Sequence, residues 1–459
     1  MSTSILRIKP EDVDNREKRQ RYTISIIGCG RIGVFQACLF AEAGFKVIGF
    51  DANRAITEYL GKGRSRFLKR EIQPLLKKHV KNGYLRTTSD VKKAVAQSDV
   101  VVVTTSVKID RKKKSNYSDM ERVCKWVGSG LRRDSLVIVT GAAGLGTTEG
   151  LIREILENTS GFTVGVDIGL AYSPLQVLGK ETWEEIAGCK RIVAAMDEKS
   201  LNAASMVLET AMKNGVVRTN DVATAEAATL FGATQNQINF ALANEFALLC
   251  EKASIDYIEA QKLAETSEYG ALATPALTYG NVHKELYILL EEAENSNVKL
   301  RVPAAAKETN EEILKHAIGL IRKALRGCGK TLKRARISLL GISQTPNTKD
   351  TPKISTKKLA KMLVAKGAKV SLCDPYMSSK ELADFGYPFK KSLKRAVEGV
   401  DCIVALTSHS QFKRLNLRKL KVMTKMPAAI VDFEGIIEPE KVEREGLIYR
   451  GLGRGNWTK

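Results

Sequence analysis

Apolar and polar positions along this chain follow two different rhythms, and the switches between them divide it. Tyr22–Gly28 (YTISIIG), Phe45–Asp51 (FKVIGFD), Asp99–Ser106 (DVVVVTTS) and Ser135–Gly141 (SLVIVTG) are unbroken apolar runs rich in β-branched residues. Runs of that length and composition predict parallel strands buried on both faces. Between the first two, VFQACLFAEAG reads as a helix ending at Gly44, which makes a βαβ unit. Helical segments alternate with the later strands, so the first ~200 residues predict a doubly wound parallel sheet.

From Asp221 to about Ala264 the rhythm becomes helical throughout, with no strand signal and no proline. This predicts a long helix or helix pair, suited to a spine and a two-fold interface. A loop rich in Gly, Ala and Pro follows (Gly270–Gly280), then more helix through Leu325. A second α/β unit begins with ARISLLGIS and continues through STKKLAKMLVAKG, AKVSLCDP, VDCIVALTS and PAAIVDF. The expected fold class is α/β: two Rossmann-like doubly wound domains joined by a long central helix. The expected segments are a loose polar arm (1–22), a dinucleotide-binding domain (23–215), a helical dimerisation region (216–325) and a basic C-terminal domain (326–459).

Composition narrows the class. Of 459 residues, 44% are hydrophobic and 27% charged, ordinary for a globular protein. No apolar run approaches the ~20 residues of a membrane span, and the charged N-terminus does not read as a signal peptide. A cytoplasmic protein without membrane insertion is the expectation. The eight cysteines form no CxxC pair and only four histidines accompany them, so no metal site is expected. The net charge of +22 is unevenly spread. Residues 321–459 hold 30 Lys and Arg against 12 Asp and Glu, while the other 320 hold 43 against 39. Such a field attracts phosphates or other polyanions.

One motif carries chemistry. Gly28-Cys29-Gly30-Arg31-Ile32-Gly33 is GxGxxG between a strand and a helix, the context a dinucleotide fingerprint requires. The first glycine allows the tight turn, the second lets a pyrophosphate approach, and the third packs helix on strand. The helix N-terminus adds free N–H groups. Asp51 closes the next strand, where a carboxylate accepts the adenosine ribose hydroxyls and repels a 2′-phosphate. With Asn53 two residues on, this favours NAD over NADP as cofactor.

At these residues the chain resembles the UDP-glucose/GDP-mannose dehydrogenase family, the nucleotide-sugar 6-dehydrogenases. The resemblance runs from GCGRIG and FAEAGFKVIGFD through GLGTTEGLIREIL, AYSPLQVLG and INFALANEFALLCEK to TPNTKD, CDPY and YRGLGRG. It implies an NAD domain, a central helix that makes a homodimer, and a C-terminal domain that holds the nucleotide sugar. It also implies two successive NAD-dependent oxidations of a sugar CH₂OH, through a cysteine thiohemiacetal and thioester. That route needs a thiol, a lysine and an asparagine at the oxyanions, and a glutamate for hydrolysis.

Matched position by position, these groups are replaced. INFALANE places Thr229 at the lysine and Ala233 at the asparagine, and the SPE glutamate is Leu175. Aligning Lys284-Glu285 with the family's Lys-Asp puts Asn281 at the cysteine. The family's V-P-T-P turn beneath the nicotinamide is Thr104-Thr105-Ser106-Val107, its Ser-Thr-Val-Pro-Pro-Gly loop is GAAGLG (Gly141–Gly146), and the lysine before Pro346 is Thr345. Two readings are open. One is an NAD-dependent enzyme on a nucleotide sugar or other phosphorylated small molecule, redirected to a two-electron step. His283, Lys284 and Glu285 are its candidate proton-handling groups. The other is a non-catalytic NAD-binding dimer whose basic C-terminal domain holds a polyanion or a protein partner.

Overall fold

The structure, a computed structural model, describes residues 4–65, 67, 72–175, 183–266, 271–277, 284–347, 352–379, 381–382 and 385–457. The chain forms two compact units: Met1–Gly232 with Tyr287–Val298, and Ala233–Leu286 with Lys299–Lys459. The division falls inside one continuous helix, Val222–Ala253.

The first unit is built on an eight-stranded sheet. Its strands are β1 (Thr23–Ile27), β2 (Lys46–Phe50), β3 (Leu85–Thr87), β4 (Val100–Val103), β7 (Leu136–Val139), β8 (Gly169–Tyr172), β9 (Arg191–Ala195) and β10 (Val216–Thr219). Their order is β10-β9-β8-β7-β4-β1-β2-β3. A two-stranded ribbon, β5 (Lys108–Ile109) with β6 (Ser115–Asn116), stands apart. The four apolar runs of the sequence are β1, β2, β4 and β7. Side-chain alternation sends Ile24 and Ile26 to one face and Ile27 to the other, where separate apolar clusters cover the sheet. Within the eight-stranded sheet every pairing is parallel except β8 with β9, and the β5–β6 ribbon is antiparallel, so the all-parallel expectation is corrected at β8 and β9.

The helix Arg31–Ala43 follows β1 and ends at Gly44, whose φ of 107° closes the last turn by donating to Phe40 and Ala41 carbonyls. It is buried nearly all round, and the amino-terminal residues explain why. The expected loose arm is instead packed, with Ile5, Leu6, Ile8 and Val13 in the same core. Arg19 donates to the Ala43 carbonyl at 2.9 Å. Charged residues between these apolar positions make the segment look polar in sequence, while its short helical turns still gather four side chains onto one side.

The second unit carries a five-stranded parallel sheet: β11 (Arg336–Leu340), β12 (Lys369–Cys373), β13 (Cys402–Ala405), β14 (Ala429–Asp432) and β15 (Ile448–Gly451). The order is β12-β11-β13-β14-β15. The helices Tyr257–Ala264 and Arg301–Gly327 also belong to it. One amide of the central helix ties it to the last of these: the Asn244 side chain donates to Asn310 at 3.2 Å, and Asn310 donates to the Gln237 main-chain carbonyl at 3.0 Å. Asn244 therefore serves packing.

Candidate functional site

In the first unit the site begins where β1 stops. Gly28 takes φ 104°, and its N–H donates to the Phe50 carbonyl at 2.9 Å. A Cβ at Gly33 would strike the Gly28 carbonyl oxygen, so only glycine lets the helix begin this close to the strand. A Cβ at Gly30 would meet nothing within 4 Å. Gly30 is also the helix N-cap and brings no side chain of its own, so free space lies against the first-turn N–H groups. That is the shape and polarity a pyrophosphate needs.

Asp51 braces this turn. One carboxylate oxygen accepts the Cys29 N–H and the other the Asn53 N–H, each at 2.8 Å. Asn53 in turn caps the helix Arg54–Gly61 by accepting from Ala55. The Thr104 hydroxyl donates to the Gly28 carbonyl at 2.6 Å, while Thr105 and Ser106 are half-buried beside it. The structure thus brings Gly28–Gly33, Asp51, Asn53 and Thr104–Ser106 to the carboxyl-terminal rim of β1, β2 and β4. Arg31 and Ile32 open the helix there.

A neighbouring loop, Gly141–Thr148, is held by a residue that the sequence did not mark. Glu226 is fully buried on the central helix and accepts three hydrogen bonds: Gly146 N–H at 2.6 Å, Thr148 N–H at 2.9 Å and Thr148 hydroxyl at 2.7 Å. Burial pushes its carboxyl up to about 7, against the three donors. The Tyr117 hydroxyl bonds Thr147 and Gly144, and Glu292 takes the Leu145 N–H. Three residues along the helix from Glu226, the Thr229 hydroxyl donates to the Ala225 carbonyl at 2.9 Å and lies 3.3 Å from the Tyr172 hydroxyl. Leu175 is 6% exposed within the core. Neither position carries a charge. Ala233 follows on the same helix.

The cysteines offer no alternative thiolate in the apolar interior. Seven of the eight are buried. Burial pushes Cys38, Cys124 and Cys373 up to about 12 and raises Cys250 and Cys328. Cys29 and Cys402 are driven higher still by burial, helped at Cys29 by Asp51. Cys189 is half-buried.

In the second unit a polar cluster occupies the carboxyl-terminal rim of β11, β12 and β13. One Asp374 oxygen accepts from Ile342 N–H (2.7 Å), Ser343 N–H (2.8 Å), the Ser343 hydroxyl (3.0 Å) and His409 Nε2 (3.2 Å). Burial opposes its charge, yet hydrogen bonds led by His409 hold the carboxyl below its ordinary value. The Asn347 N–H donates to His409 Nδ1 at 2.9 Å, so Nε2 carries the imidazole proton in this arrangement. Ser343, His409 and Asp374 therefore form a structural clamp and not a relay, because serine and aspartate share one ring nitrogen. Lys353 pairs with Glu434 at 3.1 Å on the same rim. The crevice outside β11 and β13, where strand order reverses, is the usual ligand position in such sheets.

Lys284 and Glu285 fall in the second unit, at the start of the helix Lys284–Asn295. Burial lowers the lysine and raises the glutamate, moving each toward its neutral form. His283 and Asn281 lie outside the described residues.

A glycine-lined phosphate cradle at a helix start, with an acid closing the next strand, defines a dinucleotide-dependent α/β oxidoreductase, and its cofactor is NAD. The chain belongs to the UDP-glucose/GDP-mannose dehydrogenase family: the NAD binding domain matches residues 22–212, the central domain 223–312 and the UDP binding domain 338–439. It is 30% identical over 435 residues to UDP-N-acetyl-D-mannosamine dehydrogenase of Pyrococcus horikoshii, covering 94% of this chain and 99% of that one. The same-named protein of Methanocaldococcus jannaschii is 26% identical, covering 94% and 96%. Among solved structures, the UDP-D-ManNAc dehydrogenase from Pyrococcus horikoshii superposes with a TM-score of 0.84 at 29% identity, covering 95% of this chain and all of that one. A UDP-glucose dehydrogenase from Pyrobaculum islandicum shares the fold, with a TM-score of 0.82 at 22% identity and coverage of 94% and 98%.

Proposed function

We propose that this protein is an NAD-dependent dehydrogenase acting on a nucleotide sugar, redirected to a single two-electron oxidation. The relatives named for UDP-N-acetylmannosamine make a UDP-linked N-acetylhexosamine the first substrate to try. The observation that carries the reading is the uncharged pair at the family's catalytic positions. Leu175 is packed in the core, and Thr229 spends its hydroxyl on its own helix. An oxyanion or thioester has no cation or carboxylate to rely on there. Oxidation of an alcohol to a carbonyl needs neither. It needs a hydride acceptor, which NAD supplies, and a group that takes the hydroxyl proton. Lys284, whose burial favours the neutral amine, is the first proposed proton acceptor; His283 is the second, and Glu285 is the third in its ionised form, which burial disfavours. Gly28–Gly33, Asp51, Asn53 and Thr104–Ser106 are the proposed NAD contacts.

The test is product analysis. Incubated with NAD and UDP-N-acetylmannosamine or UDP-glucose, the protein is expected to yield a sugar nucleotide lighter by two hydrogens. A uronate formed at an ordinary enzymatic rate sinks the proposal. NAD binding without turnover of any nucleotide sugar would favour the second reading, a non-catalytic dimer with a polyanion or protein partner.

We also propose a homodimer through the central helix. Leu242, Phe246 and Leu249 recur at helical spacing and are 41%, 39% and 64% exposed, an apolar stripe that a second copy would cover. Light scattering that gives a monomer at micromolar concentration would remove this. Free cysteines fit a reducing compartment, so we place the protein in the cytoplasm. The segment boundaries at 22, 215 and 325 likewise stand as proposals.

A further inference from the structure

All five strands of the second sheet run parallel, so their amino ends share one rim, opposite the crevice at Asp374. Arg336 and Lys369 are the first residues of β11 and β12, and both are exposed. Backbone contacts stitch the adjoining loops to them. Arg334 N–H donates to the Gly367 carbonyl at 2.7 Å, Gly399 N–H to the Met423 carbonyl at 2.7 Å, and Lys425 N–H to the Val400 carbonyl at 2.9 Å. A Cβ at Gly367 would lie 3.2 Å from the Lys333 side chain, and one at Gly399 would lie 3.4 Å from the Arg336 guanidinium. Lys333, Arg334, Arg336, Lys369, Lys421 and Lys425 are therefore neighbours on one exposed surface.

The nearby acids do little to neutralise it. Asp401 is 5% exposed. It already accepts the Arg336 N–H at 2.8 Å and pairs with Lys330 at 2.8 Å. Glu398 and Glu443 are exposed on this rim, and the half-buried Glu445 pairs with Arg418 at 3.2 Å, so two exposed carboxylates face six exposed cations. Within the same cationic surface two apolar side chains face water: Val422 is 86% exposed and Met426 37%. They flank Lys425 in sequence, with Lys421 before them.

Cations surrounding exposed aliphatic tips match one kind of partner better than others. A phosphodiester backbone would use the charges but give Val422 and Met426 nothing to contact, and a base-stacking surface would need aromatic side chains. A bilayer with anionic headgroups uses both features. Lysines and arginines meet the negative surface, and short apolar side chains enter the interfacial layer. No described helix is long and apolar enough to cross a membrane, so any such contact is peripheral. We propose that the amino-terminal rim of the second sheet docks on an anionic membrane surface. This inference stands on the rim's own chemistry and is independent of the redox reading.

The test is sedimentation of the full chain with vesicles of phosphatidylcholine alone and of phosphatidylcholine and phosphatidylglycerol in equal parts. Binding is expected to the anionic vesicles only. It should be lost at high salt, where the Debye length shrinks from ~8 Å to ~3 Å. Arg334→Ala and Lys425→Ala should each lower partitioning about fivefold, and Val422→Ser should lower it severalfold. The melting temperature and the far-UV circular dichroism should be unchanged in all three, which shows that the variants are folded. Equal sedimentation with both vesicle types, or none with either, would overturn the proposal. So would anionic binding indifferent to these substitutions. Duplex nucleic acid displacing the protein from vesicles, with Val422→Ser binding that duplex as well as the wild type does, would assign the rim to nucleic acid instead.

Discussion

The two sheets of this protein begin their sites with the same device and finish them differently. In the first, Gly28 turns at φ 104°, its N–H meets the carbonyl that ends the neighbouring strand, and Asp51 takes the next N–H. In the second, Gly341 turns at φ 89°, its N–H meets the Cys373 carbonyl at 2.9 Å, and Asp374 takes the Ile342 and Ser343 N–H groups. A threonine just beyond the strand on the other side closes each turn: Thr104, after β4, on the Gly28 carbonyl and Thr407, after β13, on the Ser343 carbonyl. The difference lies in the chain beyond each turn. After Gly28 a helix starts at Arg31, with open space at Gly30. After Gly341 the next helix among the described residues begins at Ile354, and His409 lies beside the acid. One scaffold therefore yields a bare helix start for a diphosphate in one unit. In the other it yields a longer loop pinned by a buried imidazole. Loop length and one side chain decide which.

The sharpest way to break this comparison is to add a methyl to the bare turn. Gly33→Ala should lower NAD affinity by tenfold to a hundredfold, since overpacking costs ~1–3 kcal/mol. Gly341→Ala should leave NAD affinity alone while reducing the affinity for UDP. Calorimetry with both ligands on both variants decides it, and similar NAD losses would mean that the two turns are not separate sites.

The clamp in the second unit comes next. His409→Ala leaves Asp374 buried without its largest hydrogen-bonding support, at a cost of ~1–3 kcal/mol, and thermal melting should show it with NAD affinity preserved. Because Asp374 is held below its ordinary pKa, its stabilisation is present above the unfolded value. It is lost as pH falls through the lower folded value. Acid melting should thus begin at higher pH in the variant.

Asp51→Ala should weaken NAD more than NADP, because the carboxylate both braces the turn and disfavours a 2′-phosphate. An equal loss for the two cofactors would leave only the bracing role shown by the Cys29 and Asn53 N–H bonds. The test at Glu226 reads stability and leaves cofactor choice aside. The folded pKa of this carboxyl is raised to about 7 from 4.5. Stability should therefore fall as pH rises between those values and level off above. Glu226→Gln should flatten that slope, and a slope unchanged in the variant would place the titration elsewhere.

Much of this was legible in the sequence, for identifiable reasons. β1, β4 and β7 are buried on both faces, so they appear as unbroken apolar runs. The turn at Gly28–Gly33 is legible because only glycine fits two of its positions. The packed amino-terminal segment was not, because Ile5, Leu6, Ile8 and Val13 sit among charges too close together to show a period. Glu226 was hidden because its partners are mostly backbone N–H groups, which have no signature in the sequence. The Ser343–Asp374–His409 clamp joins residues far apart in the chain, and no local pattern announces that they meet. The reversed pairing of β8 and β9 is a matter of chain path that hydrophobic rhythm does not record.

The central claim is that this chain keeps its cofactor turn and has left the thiol route of its family. Without a glutamate at Leu175 to assist hydrolysis, a thioester formed on any cysteine would linger. The direct measurement is therefore the intact mass of the protein, acid-quenched during incubation with NAD and UDP-N-acetylmannosamine, with a count of free thiols after unfolding. The account predicts an unmodified mass and all eight thiols free. A sugar-nucleotide adduct with one thiol missing would contradict it.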